Sequence, residues 1–288
     1  MSIYKIDGTS LDGAYDKNGN SLSVVYNTAG KVIYPPINRT LKIMTYNVGG
    51  WYDGKGTNVP ADKDDAYYNL QYGMLHNNDP DILFVNEYWA QFSQKPRTAL
   101  SVLQGIFPYI YDVPYSYNGR KSFGRAFCSK FPLSGYQNHV YDGEEPRYYD
   151  TIITTVDGVP ITLCVTHLGL SSDVRKPQAA ELLAFAKTIK TPLIIAGDMN
   201  TASSRAPAGT DYWNVLVPFK EAGYKLANCG DFGRLITYRD LVYGNGALDN
   251  IIFSRSFDIT AVTVDTTKET DQLDEHIDHE PLIATVTI

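Results

Sequence analysis

Asn47, Glu87, His167, the pair Asp198 and Asn200, Asp249 and the pair Asp278–His279 lie far apart in the chain, yet each closes or follows a short β-type stretch. The stretches read LKIMTYN, DILFVNE, ITLCVTH, LIIAGDMN, ALDN and DHEP. Carboxylates, imidazoles and amides are the side chains with which a divalent cation, an attacking water and a phosphate oxygen are handled together. That is the chemistry of metal-assisted phosphoester hydrolysis. One such stretch would mean little, but strands of an α/β sandwich deliver their C-terminal residues to one edge, where ligands bind.

Glu87 ends an apolar run, where a carboxylate is costly unless it is paired or metal-bound. Mg²⁺ takes few carboxylates and completes its shell with water and phosphate oxygens, so Glu87 helped by the Asn47 amide makes a reasonable seat for Mg²⁺ or Mn²⁺. His167 is placed to donate a hydrogen bond to a phosphate oxygen, although a lone histidine after a strand is more often structural. Alternate residues of an extended segment face one way, so Asp198 can orient or deprotonate water while Asn200 holds a phosphate oxygen. GDMN also reads as a plain turn. Adjacent residues do not normally make the catalytic hydrogen bond to each other, so His279 needs an acid other than Asp278. Asp249 is the candidate, as an Asp–His couple that fixes the imidazole tautomer, which leaves Asp278 to reach the metal directly or through water.

The elements that must position these residues alternate from residue 39 onward. Helices are expected at residues 63–77, with Tyr67, Leu70 and Met74 on one face, from Ser172 or Asp173 as cap to about 189, and at residues 211–222, ended by Gly223. Further strands are expected at residues 123–128, 149–156, 251–253 and 282–286. Residues 1–38 differ: short strands at 22–26 and 31–34 and several Asp-Gly or Asn-Gly turns suggest a small hairpin-rich appendage closed by Pro35-Pro36. The expected division is thus an appendage at 1–38 and one catalytic domain at 39–288.

With 288 residues the chain can bury a full core. Its net charge of −7 argues against strong non-specific attachment to nucleic acid, without excluding a nuclease whose cation supplies local positive potential. The start of the chain lacks a signal-peptide apolar run and no stretch reaches membrane-spanning length, and Cys128, Cys164 and Cys229 read as free thiols in a reducing compartment. A cytoplasmic monomer with no membrane contact is the corresponding expectation.

The ordered set TYN, NE, THLGL with Arg175 and Gln178 following, GDMN, LDN and DHEP resembles the endonuclease/exonuclease/phosphatase superfamily over about residues 39–288. The resemblance implies a four-layer α/β/β/α sandwich of two stacked mixed sheets flanked by helices, and a catalytic divalent metal. Position by position it implies metal binding at Asn47 and Glu87, with Asp278 near the metal. It also implies phosphate contact at His167 and Asn200, water activation at Asp198 and an Asp249–His279 couple. The chain departs from the family's usual residues at Asn86, often Gln, at Ile277, often Ser, and at Arg125, often Asn. Arg125 is a candidate for a substrate phosphate or for a structural salt bridge. The expected partner is a phosphoester substrate, with nucleic acid among the candidates. The alternatives are a small-molecule phosphatase of the inositol phosphate or nucleotide type, and a non-catalytic binding protein on the same fold. Arg120, Lys121, Arg234 and Arg239 would suit nucleic acid, whereas Trp51, Tyr52, Trp89 and residues 115–117 would line a narrower pocket.

Overall fold

A computed structural model of the chain describes residues 39–49, 64–88, 99–113, 124–143, 147–201, 215–239, 245–267 and 279–288, together with four short strands between residues 14 and 34. In the N-terminal region β1 (Ala14–Tyr15) pairs with β2 (Ser21–Leu22), and β3 (Val25–Tyr26) pairs with β4 (Val32–Tyr34). The stretch 22–26, expected as one strand, is thus divided between two hairpins.

From residue 39 the order is β5 (Thr40–Asn47), α1 (Asp64–Asn78), β6 (Ile82–Tyr88), α2 (Ala99–Gln104), β7 (Tyr109–Val113), β8 (Gly124–Ser129), β9 (Leu133–Val140), β10 (Tyr148–Val156) and β11 (Val159–His167). There follow α3 (Ser172–Thr188), β12 (Leu193–Asp198), α4 (Val217–Glu221), β13 (Lys225–Leu226), β14 (Asp249–Phe253), β15 (Asp258–Val264) and β16 (Leu282–Thr287). Two six-stranded sheets result, ordered β15-β16-β5-β6-β8-β7 and β13-β14-β12-β11-β10-β9. Both are mixed: β5–β6 and β11–β12 pair in parallel, and the other neighbours are antiparallel.

The sheets stack face to face. Ile43, Phe84 and Phe127 of the first pack with Leu163, Ile194 and Phe253 of the second in one buried cluster. The outer face of the first sheet, with Met44 and Leu83, is covered by Leu75 of α1 and Leu103 of α2. The outer face of the second, with Cys164, Ile195 and Ile252, is covered by Leu182 of α3 and Phe219 of α4. This is the four-layer α/β/β/α sandwich that the sequence led us to expect.

Strand alternation determines what lies between the sheets. On β5 the inward residues are Leu41 and Ile43, so Asn47 continues the inward row. The same parity carries Ile82 and Phe84 to Asn86, Ile161, Leu163 and Val165 to His167, Ile194 and Ala196 to Asp198, and Phe253 and Ile251 back to Asp249. Each polar residue therefore prolongs an apolar inner row at its edge, at one mouth of the gap between the sheets.

Helix α3 is capped one residue earlier than the first expected position, by Ser171, whose side chain accepts from the N–H of Val174 at 3.3 Å. Its expected face is buried at Ala179, Leu182, Leu183 and Ala186. In α1 the buried residues are Gln71, Met74 and Leu75, with Leu70 partly buried against the same cluster, and the Tyr67 side chain lies outside the described residues. Of the third expected helix, residues 211–214 lie outside the described residues, and Val217–Glu221 forms its end. Cys128 and Cys164 are buried free thiols, and Cys229 is a partly buried one. No helix among the described residues is long and apolar enough to cross a membrane.

Candidate active site

Register brings the site together before any side chain is considered. His167 of β11 is paired with Asp198 of β12, and Asp198 with Asp249 of β14, so three site residues stand side by side across three strands. Asn47 is paired with Asn86 in the opposite sheet, which puts Glu87 one residue beyond.

Asp198 is the hub. Its Oδ2 accepts from Asn47 Nδ2 at 3.1 Å and lies 3.4 Å from His167 Nε2 and 3.5 Å from His279 Nε2. Its Oδ1 accepts from the N–H of Asn200 at 2.8 Å. His279 Nδ1 lies 2.7 Å from Asp249 Oδ2, the expected couple, with Asp249 completely buried. Asn47 Nδ2 also donates to Glu87 Oε1 at 3.1 Å, and His167 Nδ1 stands 4.0 Å from the same oxygen.

Two of these residues adopt a backbone conformation that L-residues avoid. Glu87 has φ of 55° and Asn200 has φ of 50°. Asparagine tolerates this region, glutamate much less so, and such strain persists only where surrounding structure imposes it. At Glu87 the cause is visible: the β6–β8 register shifts between Val85 and Tyr88. Strand alternation would send Glu87 to the outer face, and the bulge re-aims it to within 3.1 Å of Asn47. Asn86, singled out beforehand only as a departure from Gln, ties the sheets together. Its Oδ1 accepts from the N–H of Asp198 at 3.1 Å and its Nδ2 donates to the Thr166 carbonyl at 3.0 Å. The approach is close enough that a Cβ on Gly197 would sit 1.9 Å from the Thr166 carbonyl oxygen and 2.8 Å from Asn86 Oδ1, and Gly197 itself has φ of +144°.

The turn after His167 is fixed from α3. Gln178 Oε1 accepts from the N–H of Gly169 at 2.8 Å, and Arg175 Nη1 donates to the Gly169 carbonyl at 3.1 Å and to that of Leu170. Asn200 Nδ2 donates to the Leu168 carbonyl at 2.8 Å, so its amide is anchored to the same turn.

Burial pushes the Asp198 carboxyl up from 3.8 to about 6; the nearby Asp249 carboxylate adds to this, while His279 and the hydrogen bonds from Asn200 and Asn47 oppose it. Burial also holds the His167 imidazole well below its usual 6.5, with Arg147, His279 and Arg125 as lesser causes. Strong desolvation thus favours the neutral form of both His167 and Asp198.

The side chains present fit a hard divalent cation. Ligand atoms of Glu87, His167 and Asp198 lie within 4.8 Å of one another, as do those of Asp198, Asp249 and His279. The second oxygen of Asp249 is buried without a hydrogen-bond partner among the described residues. Asn47 Oδ1 accepts from the N–H of Gly49 at 3.0 Å and its nitrogen faces the carboxylates, so it orients Glu87 and Asp198. Asp278 lies outside the described residues, as do Trp51, Tyr52, Trp89, Arg120, Lys121, residues 115–117 and Ile277.

Arg125 takes the structural alternative. It is buried and forms an ion pair with the fully buried Asp150, whose other oxygen accepts from Tyr136 Oη at 2.9 Å and Asn138 Nδ2 at 2.6 Å. Its guanidinium also lies 5.2 Å over the Tyr148 ring. Arg239, a candidate nucleic-acid contact, donates to the buried Glu280 at 2.9 Å.

Comparison with known proteins places this geometry. The family model described as "Endonuclease/Exonuclease/phosphatase family" matches residues 44–271. Among solved structures, the human Nocturnin catalytic domain with bound sulfate is similar at 18% identity and TM-score 0.66, covering 86% of this chain and 94% of that one. A Bacteroides vulgatus endonuclease/exonuclease/phosphatase is similar at 14% identity and TM-score 0.64, over 86% and 98%. Truncated Caenorhabditis elegans TDP2 is similar at 18% identity and TM-score 0.62, over 86% and 98%. No curated protein matches the chain.

Proposed function

This chain belongs to the endonuclease/exonuclease/phosphatase family, whose members are divalent-metal-dependent hydrolases of phosphoester bonds, and from that premise we propose that it cleaves a phosphodiester or phosphomonoester by attack of water at the cluster around Asp198. The observation that carries the reading is the convergence of Glu87, His167, Asp198, Asp249 and His279, contributed by both sheets, in two groups that share Asp198 and whose ligand atoms lie within 4.8 Å of one another.

Glu87 and Asp198 would hold Mg²⁺ or Mn²⁺, with Asp278 as the further expected carboxylate. When bound, the cation neutralises charge on a phosphate oxygen. Asp249 fixes His279 with Nδ1 toward the carboxylate, so Nε2 faces Asp198 Oδ2 at 3.5 Å. Those two atoms bracket the position where an attacking water would lose its proton, and either can take it. His167 and the free amide hydrogen of Asn200 supply donors for phosphate oxygens as charge develops. Asn47 bridges the two carboxylates by donating to both. A nucleic acid is one substrate of this chemistry, and a small-molecule phosphoester is the other.

The test is a panel of plasmid DNA, RNA, bis-p-nitrophenyl phosphate and inositol phosphates with Mg²⁺ or Mn²⁺, run beside His279→Ala. The reading expects at least one substrate to be cleaved and the variant to lose about 10²–10⁴-fold in kcat. Absence of cleavage across the panel, or a fully active variant, would contradict it.

A further inference from the structure

Asp249 and His279 come from different sheets: Asp249 opens β14 in the second, and His279 leads into β16 in the first. Their 2.7 Å contact therefore depends on how the two backbones are held at this edge. One short segment reaches both. Thr237, completely buried, accepts the N–H of Asp249 on its Oγ1 at 3.0 Å and the N–H of Glu280 on its carbonyl at 2.7 Å. Tyr238 exchanges two backbone hydrogen bonds with Gly246, on the approach to Asp249, and forms a bridge with His279. Its ring meets the His279 imidazole edge-on at 5.0 Å. Arg239 closes the strap through its 2.9 Å bond to Glu280, the residue after His279.

We propose that Thr237 is the positioning residue of the Asp249–His279 couple, its hydroxyl and carbonyl setting the two backbones at the spacing their side chains need. The inference rests on the reading of that couple as catalytic. A carboxylate–imidazole contact tolerates little displacement, and a shift of about 1 Å at a catalytic group can cost on the order of a hundredfold in rate. Thr237 hydrogen-bonds both backbones of the couple, so its loss should appear in kcat and leave KM alone.

The experiment compares wild type, Thr237→Val, Thr237→Ser and His279→Ala on bis-p-nitrophenyl phosphate with Mn²⁺, with the folded fraction of each read by circular dichroism. Valine keeps the shape and removes the acceptor; serine restores it. The expected result is a roughly ten- to hundredfold fall in kcat for Thr237→Val with KM within about twofold, and recovery to within about threefold of wild type for Thr237→Ser. With His279→Ala inactive, a wild-type kcat in Thr237→Val, or a serine variant as impaired as the valine one, overturns the proposal. If His279→Ala is itself fully active, the reading of the couple falls and takes the proposal with it. Should Thr237→Val fail to fold, Thr237→Ala, which removes the same acceptor, is expected to lower kcat by at least about tenfold at unchanged KM; an unchanged kcat there overturns the proposal equally.

Discussion

Replacing Asp198 by Asn should abolish turnover and, in metal-free protein near pH 8, raise stability. Burial lifts the Asp198 carboxyl from 3.8 to about 6. That difference corresponds to about 3 kcal/mol. The sign follows from linkage. The folded value lies above the unfolded one, so the fold carries no penalty from this group below about pH 3.8 and loses stability as the pH rises through about 6. Above pH 7 nearly the whole of the 3 kcal/mol is lost, while at pH 5 the loss is roughly half as large. Asparagine removes this cost but places an amide against Asn47 Nδ2, which now donates to Asp198 Oδ2 at 3.1 Å; that forfeits about 1 kcal/mol. The net gain is then about 2 kcal/mol at pH 8. At about 2.1 cal/mol/K of unfolding entropy per residue, it is worth roughly 3 °C in Tm for a chain of 288 residues. His167, depressed below 6.5, contributes stability present above that value and lost as pH falls through its folded one, but it does so in both proteins and largely cancels. Thermal melts in EDTA at pH 8 and pH 5 are the assay, repeated with Mn²⁺, which should stabilise wild type preferentially and narrow or reverse the ranking. A variant less stable than wild type at pH 8 in EDTA, or a gap that does not change with pH, would refute the reasoning.

Three further outcomes are expected. Gly197→Ala drives a Cβ to 1.9 Å from the Thr166 carbonyl at a φ of +144°, so it should destabilise by more than about 3 kcal/mol in urea unfolding. Arg125→Leu strips the buried Asp150 of its cation and should cost about 3–5 kcal/mol, with much of the loss recovered when Asp150 is changed to Asn as well. Deleting residues 1–36 should leave kcat on a small phosphodiester unchanged, since every candidate site residue follows Arg39; loss of turnover in a folded truncation would show that the appendage shapes the site.

The central strands and the site they deliver were legible because the inner faces are unbroken apolar rows. Ile161, Leu163 and Val165 alternate cleanly, and His167 simply occupies the next inward place. Strands β9 and β15 were harder to read: each is an edge strand whose residues alternate irregularly between partly and fully exposed, so LSGYQNHV carries little β signal. Helix α2, with six residues, is too short to show a period. At the site, residue types pointed to Glu87 and Asp198, but not to the bulge that turns Glu87 inward, because a bulge leaves no mark in an apolar pattern. Asn47 was legible as part of the site, but only the Gly49 N–H on its oxygen shows which end faces the carboxylates. Asn86 and Thr237 act between sheets, through backbone groups that sequence pattern does not display.

The account stands or falls on a cation held by carboxylates at the mouth between the two sheets. Hydrolysis of bis-p-nitrophenyl phosphate should vanish in EDTA, return with added Mn²⁺ or Mg²⁺, and require a markedly higher cation concentration in Glu87→Gln than in wild type. Full hydrolysis in EDTA, or an unchanged cation requirement in Glu87→Gln, would contradict it.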